Sequence, residues 1–251
     1  MVTIKDIANT AGTSLSTVSR VLNGIAIRDK TLAEKIHKIA EQMNYQPNEA
    51  GRNLRMGSDD DFGPVLEIRS RQDVNVKRLI AAEAAKMVTA RDVVVLDSGS
   101  TVAQMAFHLP ADVLVYTNSL AVVQPAAKRG VHVHLAPGLY VPAMGAVFGQ
   151  ETEDYFRRHK SSIYFLSSAR VDVRTGLFNL NATTYNVKRV ALEHASRKVL
   201  MVHHEKFCDA GLDTFAPLSS VDMIITDFVP DIFRDPVSQS GVEVIEIGGQ
   251  Q

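Results

Sequence analysis

Apolar residues recur at helical spacing through the first 44 positions. Ile4, Ile7, Ala8, Val18, Val21, Leu22, Leu32, Ile36, Ile39 and Met43 line the inner faces of three short helices and supply one small core. The spacing predicts helices over residues 3–11, 15–23 and 31–44. Thr3 with Asp6, and Thr31 with Glu34, make capping boxes for the first and third. Gly12 stands where the first must stop on a left-handed residue. Ser14 caps the second, which ends at Asn23-Gly24. Two short helices across a tight glycine turn are a helix-turn-helix.

After residue 75 the period changes. Residues 76–89 form an amphipathic helical pattern. Short apolar runs follow at residues 93–96, 113–116, 131–135, 162–166, 199–202, 223–226 and 242–245. Helical patterns alternate with several of them, at 102–109, 120–129, 151–159 and 185–196. Apolar strands alternating with helices predict a mainly parallel sheet covered by helices. The chain therefore reads as an all-α headpiece followed by an α/β domain. Between the two, Gly57-Ser58-Asp59-Asp60-Asp61-Phe62-Gly63-Pro64 lacks periodicity and is rich in breakers. The expected division is a headpiece at 1–56, a linker at 57–75 and the α/β domain at 76–251.

Composition changes this picture mainly through charge. The 251 residues carry a net charge of -1. Residues 1–56 hold eight Lys/Arg against five Asp/Glu, a balance of +3, and the remainder nineteen against twenty-three, a balance of -4. Nucleic acid is thus drawn to the first part and not the second. A hydrophobic content of 45% is enough for a sizeable core. The single Cys208 excludes a disulfide within the chain and fits a reducing cytosol. No apolar run approaches a membrane span, and the N-terminus reads as an amphipathic helix rather than a signal peptide. A cytoplasmic location is expected.

The second helix leaves Leu15, Ser16, Thr17, Ser19 and Arg20 on its outer face, where its N-terminal residues would meet base edges in the major groove. Arg20 is the natural fork for a guanine edge. Ser16 can donate or accept, and Leu15 offers only apolar contact, such as with a thymine methyl. Thr3-Ile4-Lys5-Asp6-Ile7-Ala8, Ala11-Gly12, Ser14, Thr17-Val18-Ser19-Arg20-Val21-Leu22-Asn23, Asn44-Tyr45 and Pro47-Asn48 together resemble the headpiece of the lactose/purine repressor family. That resemblance implies a hinge helix at 48–55, folded when two subunits meet on the operator. It also implies that Leu54 wedges into the minor groove and kinks the duplex. Gly51 departs from the family's usual alanine, at a cost of about 1 kcal/mol in helix propensity. The residues assigned to DNA are Thr3, Ser14, Leu15, Ser16, Thr17, Ser19, Arg20, Asn23, Asn48 and Leu54.

In a parallel sheet the ligand sits beyond the C-terminal strand ends, and small polar residues gather there. The first run leads into Asp97-Ser98-Gly99-Ser100-Thr101 directly before a helix. A glycine turn, a helix N-terminus and three hydroxyls suit an anion. Asp97 would repel a phosphate and suits a sugar hydroxyl or the turn's own backbone. Other runs lead to Thr117-Asn118-Ser119, Pro137-Gly138, Ser167-Ser168-Ala169-Arg170 and His203-His204-Glu205-Lys206. Such a gathering predicts a polyol-phosphate pocket.

Leu96-Asp97-Ser98-Gly99-Ser100-Thr101, Thr117-Asn118-Ser119, Gly138, Gly149, Gly176-Leu177, Val187-Lys188-Arg189, Lys206-Phe207 and Ile224-Ile225-Thr226-Asp227 resemble the effector domain of the deoxyribose/glycerol-phosphate repressor family. The resemblance implies a fold like ribose-phosphate isomerases and CoA transferases, and a phosphorylated sugar or related metabolite as ligand. It implies that Asp97, Ser98, Gly99, Ser100 and Thr101 hold the phosphate end or sugar hydroxyls, and that Asn118, Lys188 and Lys206 line the rest. Three departures stand out. Thr183-Thr184-Tyr185-Asn186 lacks the family's acidic residue, Pro137 replaces the first glycine of a pair, and His203 replaces an aspartate. The pocket is less negative for it, which suits a more anionic ligand or a different one.

The chain thus reads as a hybrid, sequence-specific regulator. The expected partners are double-stranded DNA with a pseudo-palindromic operator, a sugar-phosphate-like effector and further copies of itself, as homodimer or homotetramer. Two alternatives have support from residues. Asp97, Glu205, Lys188 and Lys206 could serve a sugar-phosphate isomerase, or the second domain could act in assembly alone. His132 and His134 alternate on one strand face, and His203 and His204 point to opposite sides. No Cys or His spacing is a metal signature, so the histidines read as structural and neither metal nor cofactor is expected.

Overall fold

The computed structural model describes residues 4–14, 17–18, 21, 29–43 and 66–248. The chain divides into two compact units, Met1–Met56 and Gly57–Gln251. In the first, α1 (Ile4–Ala11) stops at Gly12, whose φ of +70 is the left-handed conformation a helix end needs. The Thr17 N–H donates to Ser14 Oγ over 3.1 Å, so Ser14 caps the next helical turn as expected. The third helix is a correction. As α2 it runs Lys30–Gln42, and its cap is Asp29, whose Oδ1 accepts from the Leu32 N–H at 3.0 Å. Thr31 lies inside it.

Ile7, Ala8, Ala11, Val18, Val21, Ile36 and Ile39 are buried together, with Leu32 and Met43 packed at their margin. Lys35 Nζ donates to the Ala11 carbonyl, tying the end of α1 to α2. The calls on Thr3, Leu15, Ser16, Ser19, Arg20, Leu22, Asn23, Asn48, Leu54 and the 48–55 hinge lie outside the described residues, as does the Ile4 side chain.

The second unit runs α3 (Leu66–Arg71), α4 (Val74–Ala85), β1 (Val93–Leu96), α5 (Ser100–Ala103), β2 (Leu114–Thr117), α6 (Leu120–Ala127), β3 (His132–Leu135), β4 (Leu139–Val141), β5 (Ala146–Phe148), α7 (Gln150–Arg158), β6 (Ser161–Leu166), β7 (Arg170–Asp172), β8 (Gly176–Phe178), α8 (Ala182–Glu193), β9 (Ala195–Met201), β10 (Phe207–Cys208), β11 (Met223–Thr226), α9 (Asp231–Gln239) and β12 (Glu243–Glu246). All seven apolar runs are strands of one sheet in the order β12-β11-β9-β6-β1-β2-β3. Every neighbouring pair in it is parallel.

The period of two assigns alternate residues to the two faces. Val94, Leu96, Ile163 and Phe165 pack under α4 and α6. Val95, Tyr164, Leu166 and Leu200 pack with Phe156 of α7 and Val187 of α8. The sheet is covered on both faces at its centre, which is why β1, β6 and β11 are mainly apolar, while the edge strands β3 and β12 carry exposed His and Glu.

The chain builds outward from β1 to β3 on one side, then returns to lay β6, β9, β11 and β12 on the other. The direction reverses between β1 and β6, and the crevice at the C-terminal ends of such a pair is where ligands bind. Several expectations are corrected. α3 and the start of α4 occupy the end of the stretch expected as linker. The helix expected over 102–109 is four residues of α-helix and then a 3-10 turn, Gln104–Phe107. α8 begins earlier than expected, because Asn181 caps it by accepting from the Thr183 N–H. It also ends earlier, because Ala195 already pairs with Ser161 in the sheet. Two small sheets were not anticipated: the β4–β5 hairpin, and β8–β7–β10. No described helix is long and apolar enough to cross a membrane.

Candidate functional site

Asp97 and Lys188 meet at the reversal point. Strand β1 delivers Asp97, and α8 delivers Lys188 from 91 residues further on. The two form an ion pair with side chains only 5% and 7% exposed. Asp97 also accepts from the Gly99 N–H at 2.7 Å and the Ser167 N–H at 2.9 Å. Lys188 Nζ donates in addition to the Ser167 carbonyl at 2.9 Å. Charge and hydrogen bonds are thus satisfied within the protein, and the pair sews the loop after β1 to the loop after β6. Gly99 is required by closeness rather than by φ: a Cβ there would collide with the Ser167 hydroxyl.

Asp97, Ser98, Asn118, Thr184 and Lys188 surround a cavity of about 10 Å³, room for about one water. Asn118 donates to the Val147 carbonyl at 3.0 Å and so braces β5. Ser98, Ser100 and Thr101 are buried, yet their hydroxyls make no hydrogen bond among the described residues. The expected helix dipole behind this turn is weak, because α5 has only four residues. An anion here would depend on the hydroxyls and on cations brought from elsewhere.

Those cations form a second cluster, at the C-terminal end of β9. Lys206 stands there rather than in the cavity. Its pKa is pushed down to about 8, first by burial and then by Arg170, Lys77 and Arg69, with Glu205 opposing. Arg69 is lowered by burial while the Asp97 charge raises it, which links the two clusters. Lys77 is buried and donates to the carbonyls of Arg69 and Gln72, at 2.6 and 2.8 Å, fastening α3 to α4. His203 is held neutral, at about 4, by burial and then by Lys206 and Lys77. Arg170 Nη1 donates to the Glu205 carbonyl at 2.7 Å, and His204 pairs with the buried Asp227. Nothing in the strand pattern announced Arg69, Asp73 and Lys77. The usable signal was the helical spacing of Leu66, Arg69 and Asp73 within the assumed linker, continued by Lys77 at the start of the expected helix.

In the first unit, Ser14 and Thr17 are described. Ser14 Oγ is engaged by the Thr17 N–H and lies 2.8 Å from Thr17 Oγ1.

Residues 72–228 match the family described as the DeoR C terminal sensor domain, and residues 3–48 match the lacI family of bacterial regulatory proteins. The HTH-type transcriptional regulator GlpR of Haloferax volcanii is 26% identical over 97% of this chain and 90% of its own length. A putative aga operon transcriptional repressor of Escherichia coli O157:H7 is 25% identical over 74% of this chain and 70% of its own length. Ribose 5-phosphate isomerase A of Methanocaldococcus jannaschii shares 17% identity over 55% of this chain and 56% of its own, with a TM-score of 0.41.

Proposed function

The chain belongs to the family of the DeoR C terminal sensor domain, here preceded by a lacI-family DNA-reading segment, and from that premise we propose a specific role for this DNA-binding transcriptional regulator. It is a cytoplasmic repressor of a carbohydrate catabolic operon, released or tuned by a phosphorylated sugar or related metabolite. The observation that carries the reading is the pairing of free hydroxyls on Ser98, Ser100 and Thr101 with a cation cluster on Arg69, Arg170 and Lys206 at one sheet edge. Hydroxyls and cations together suit a phosphate. Similarity to GlpR and to an aga operon repressor supports the carbohydrate assignment.

The domain acts as a binder rather than a catalyst. Asp97 and Lys188 are bound to each other and to backbone, so neither is placed to move a proton. The headpiece would read a pseudo-palindromic operator as a pair, with Leu15, Ser16 and Arg20 on base edges and Leu54 as wedge. Exposed Leu120, Leu135, Leu139 and Tyr140 near edge strand β3 supply apolar surface for self-association. The effector regulates by binding one arrangement of the paired subunits more tightly than the other.

The test is a thermal-shift screen against phosphorylated sugars, free sugars and organic acids, since a ligand stabilises what it binds by mass action. A shift from one sugar phosphate, lost in Ser98→Ala, is expected. Silence across every phosphate would remove the effector assignment. In the headpiece, Arg20→Ala should relax specificity at one base pair and cost about 1–3 kcal/mol, and unchanged affinities on all single-base operator variants would sink it.

A further inference from the structure

We propose that Asp73, His203 and Glu205 form a binding site for a divalent transition-metal ion of the zinc type. One donor atom from each of these side chains lies within 4.8 Å of the other two. They come from separate places: Asp73 from the turn between α3 and α4, His203 and Glu205 from the segment after β9. His203 is 3% exposed, and its ring nitrogens make no hydrogen bond among the described residues. A buried imidazole is ordinarily hydrogen-bonded, so an unpaired ring beside two carboxylates suits a metal ion.

The two carboxylates behave alike. Neither Asp73 nor Glu205 makes a side-chain hydrogen bond or an ion pair within 4.0 Å among the described residues, although cations surround them. Asp73 occupies the N-cap position of α4 without using its side chain as a cap. Its backbone is left-handed, with φ 48 and ψ 36, a conformation that few residues other than glycine adopt.

One imidazole and two carboxylates are a donor set that zinc and its first-row neighbours accept. Bonds of about 2.0–2.2 Å place tetrahedral ligands about 3.4 Å apart. The three donors must therefore close by little more than an ångström, which the exposed Asp73 and Glu205 side chains can supply by rotation. Three protein ligands leave further positions for water or an oxygen of another molecule. The cations oppose the ion, but Lys77 Nζ is already turned to two carbonyls and Arg170 to a third. They lower affinity without occupying the donor atoms.

The test uses the full chain, stripped of metal and titrated calorimetrically with Zn²⁺ in the absence of any sugar phosphate, so its outcome is separate from that of the effector reading. One Zn²⁺ per chain is expected, with binding about tenfold weaker or worse in His203→Asn and in Glu205→Gln. Co²⁺ bound at the same stoichiometry should show visible absorption that both variants lose. Should His203→Asn fail to fold, Asp73→Asn and Glu205→Gln carry the test, both being at exposed positions. Absence of stoichiometric uptake, or uptake that Asp73→Asn and Glu205→Gln leave unchanged, overturns the site.

Discussion

Two clusters of charge lie at the C-terminal edge of one sheet, and they are built on opposite principles. Around Asp97 and Lys188, opposite charges are paired, buried and hydrogen-bonded to neighbouring backbone. Around Lys206, four cations, two carboxylates and a histidine stand close together, and the side chains of Lys206 and His203 are desolvated without a hydrogen bond among the described residues. The first arrangement holds a fold together. The second carries a standing cost that a bound ligand would relieve, and this makes it the better place to look for regulation. The resemblance put Lys188 and Lys206 in one pocket lining; the structure has Lys188 at the cavity and Lys206 in the second cluster.

The sharpest way to break the comparison is Lys188→Met. Removing one partner of a buried pair leaves Asp97 charged and uncompensated, at a cost of about 3–5 kcal/mol. Chemical denaturation should show a loss of that size. A loss below about 1 kcal/mol would mean that the pair is solvated, and that Lys188 is as available to a ligand as Lys206. Ser98→Ala touches no such pair, so it is the cleaner probe of effector response.

A second effect, smaller, concerns the frame of the second cluster. Asp172 ends β7, which carries Arg170 and pairs with β10 just after Lys206. It is fully buried and accepts from the N–H groups of Arg174, Thr175, Ala210 and Leu212. Burial raises its pKa, but the four donors outweigh that and hold it at about 2, against 3.8 in an unfolded chain. A depressed carboxylate stabilises the fold above its unfolded value, and that contribution fades as pH falls through the folded one. About 2 kcal/mol should thus disappear between pH 4 and pH 2, and Asp172→Asn should flatten that part of the stability profile. An unchanged profile in the variant would leave the acid sensitivity to other groups.

The difference between the clusters also marks what a sequence can disclose. The interior sheet strands were legible because each holds a short apolar run largely buried on both faces, Val93–Leu96 being typical. The edge strands His132–Leu135 and Glu243–Glu246 are exposed or half-buried and showed only shorter apolar stretches. Strands of two or three residues, such as Phe207–Cys208, carry no period and exist only through their neighbours. The loop residues Asp97, Asn118 and Lys206 were legible by position, since polar turns after apolar strands must lie at the sheet edge. Their partners were not. The Asp97–Lys188 pair spans 91 residues, and Arg69 and Asp73 lie in a stretch where breakers upstream suggested linker. Periodicity locates elements; which charges then face each other is decided by packing.

The smallest expected effect bears most directly on whether the second cluster is strained. Lys206 has its pKa lowered from 10.5 to about 8, so it is less easily protonated in the fold than in the unfolded chain. Between those values the unfolded state binds more protons, and stability rises with pH. Below pH 8 the cost of the buried charge is present in full; above pH 10.5 it is gone. Lys206→Met should therefore raise stability at pH 7 by about 1–2 kcal/mol, allowing for its partial exposure, and the gain should vanish by pH 10.5. A mutation that stabilises the fold while abolishing the thermal shift from a phosphorylated ligand would identify a residue kept for binding at the expense of stability. Destabilisation at pH 7 would instead give Lys206 the same structural role as Lys188, and the contrast between the two clusters would fall.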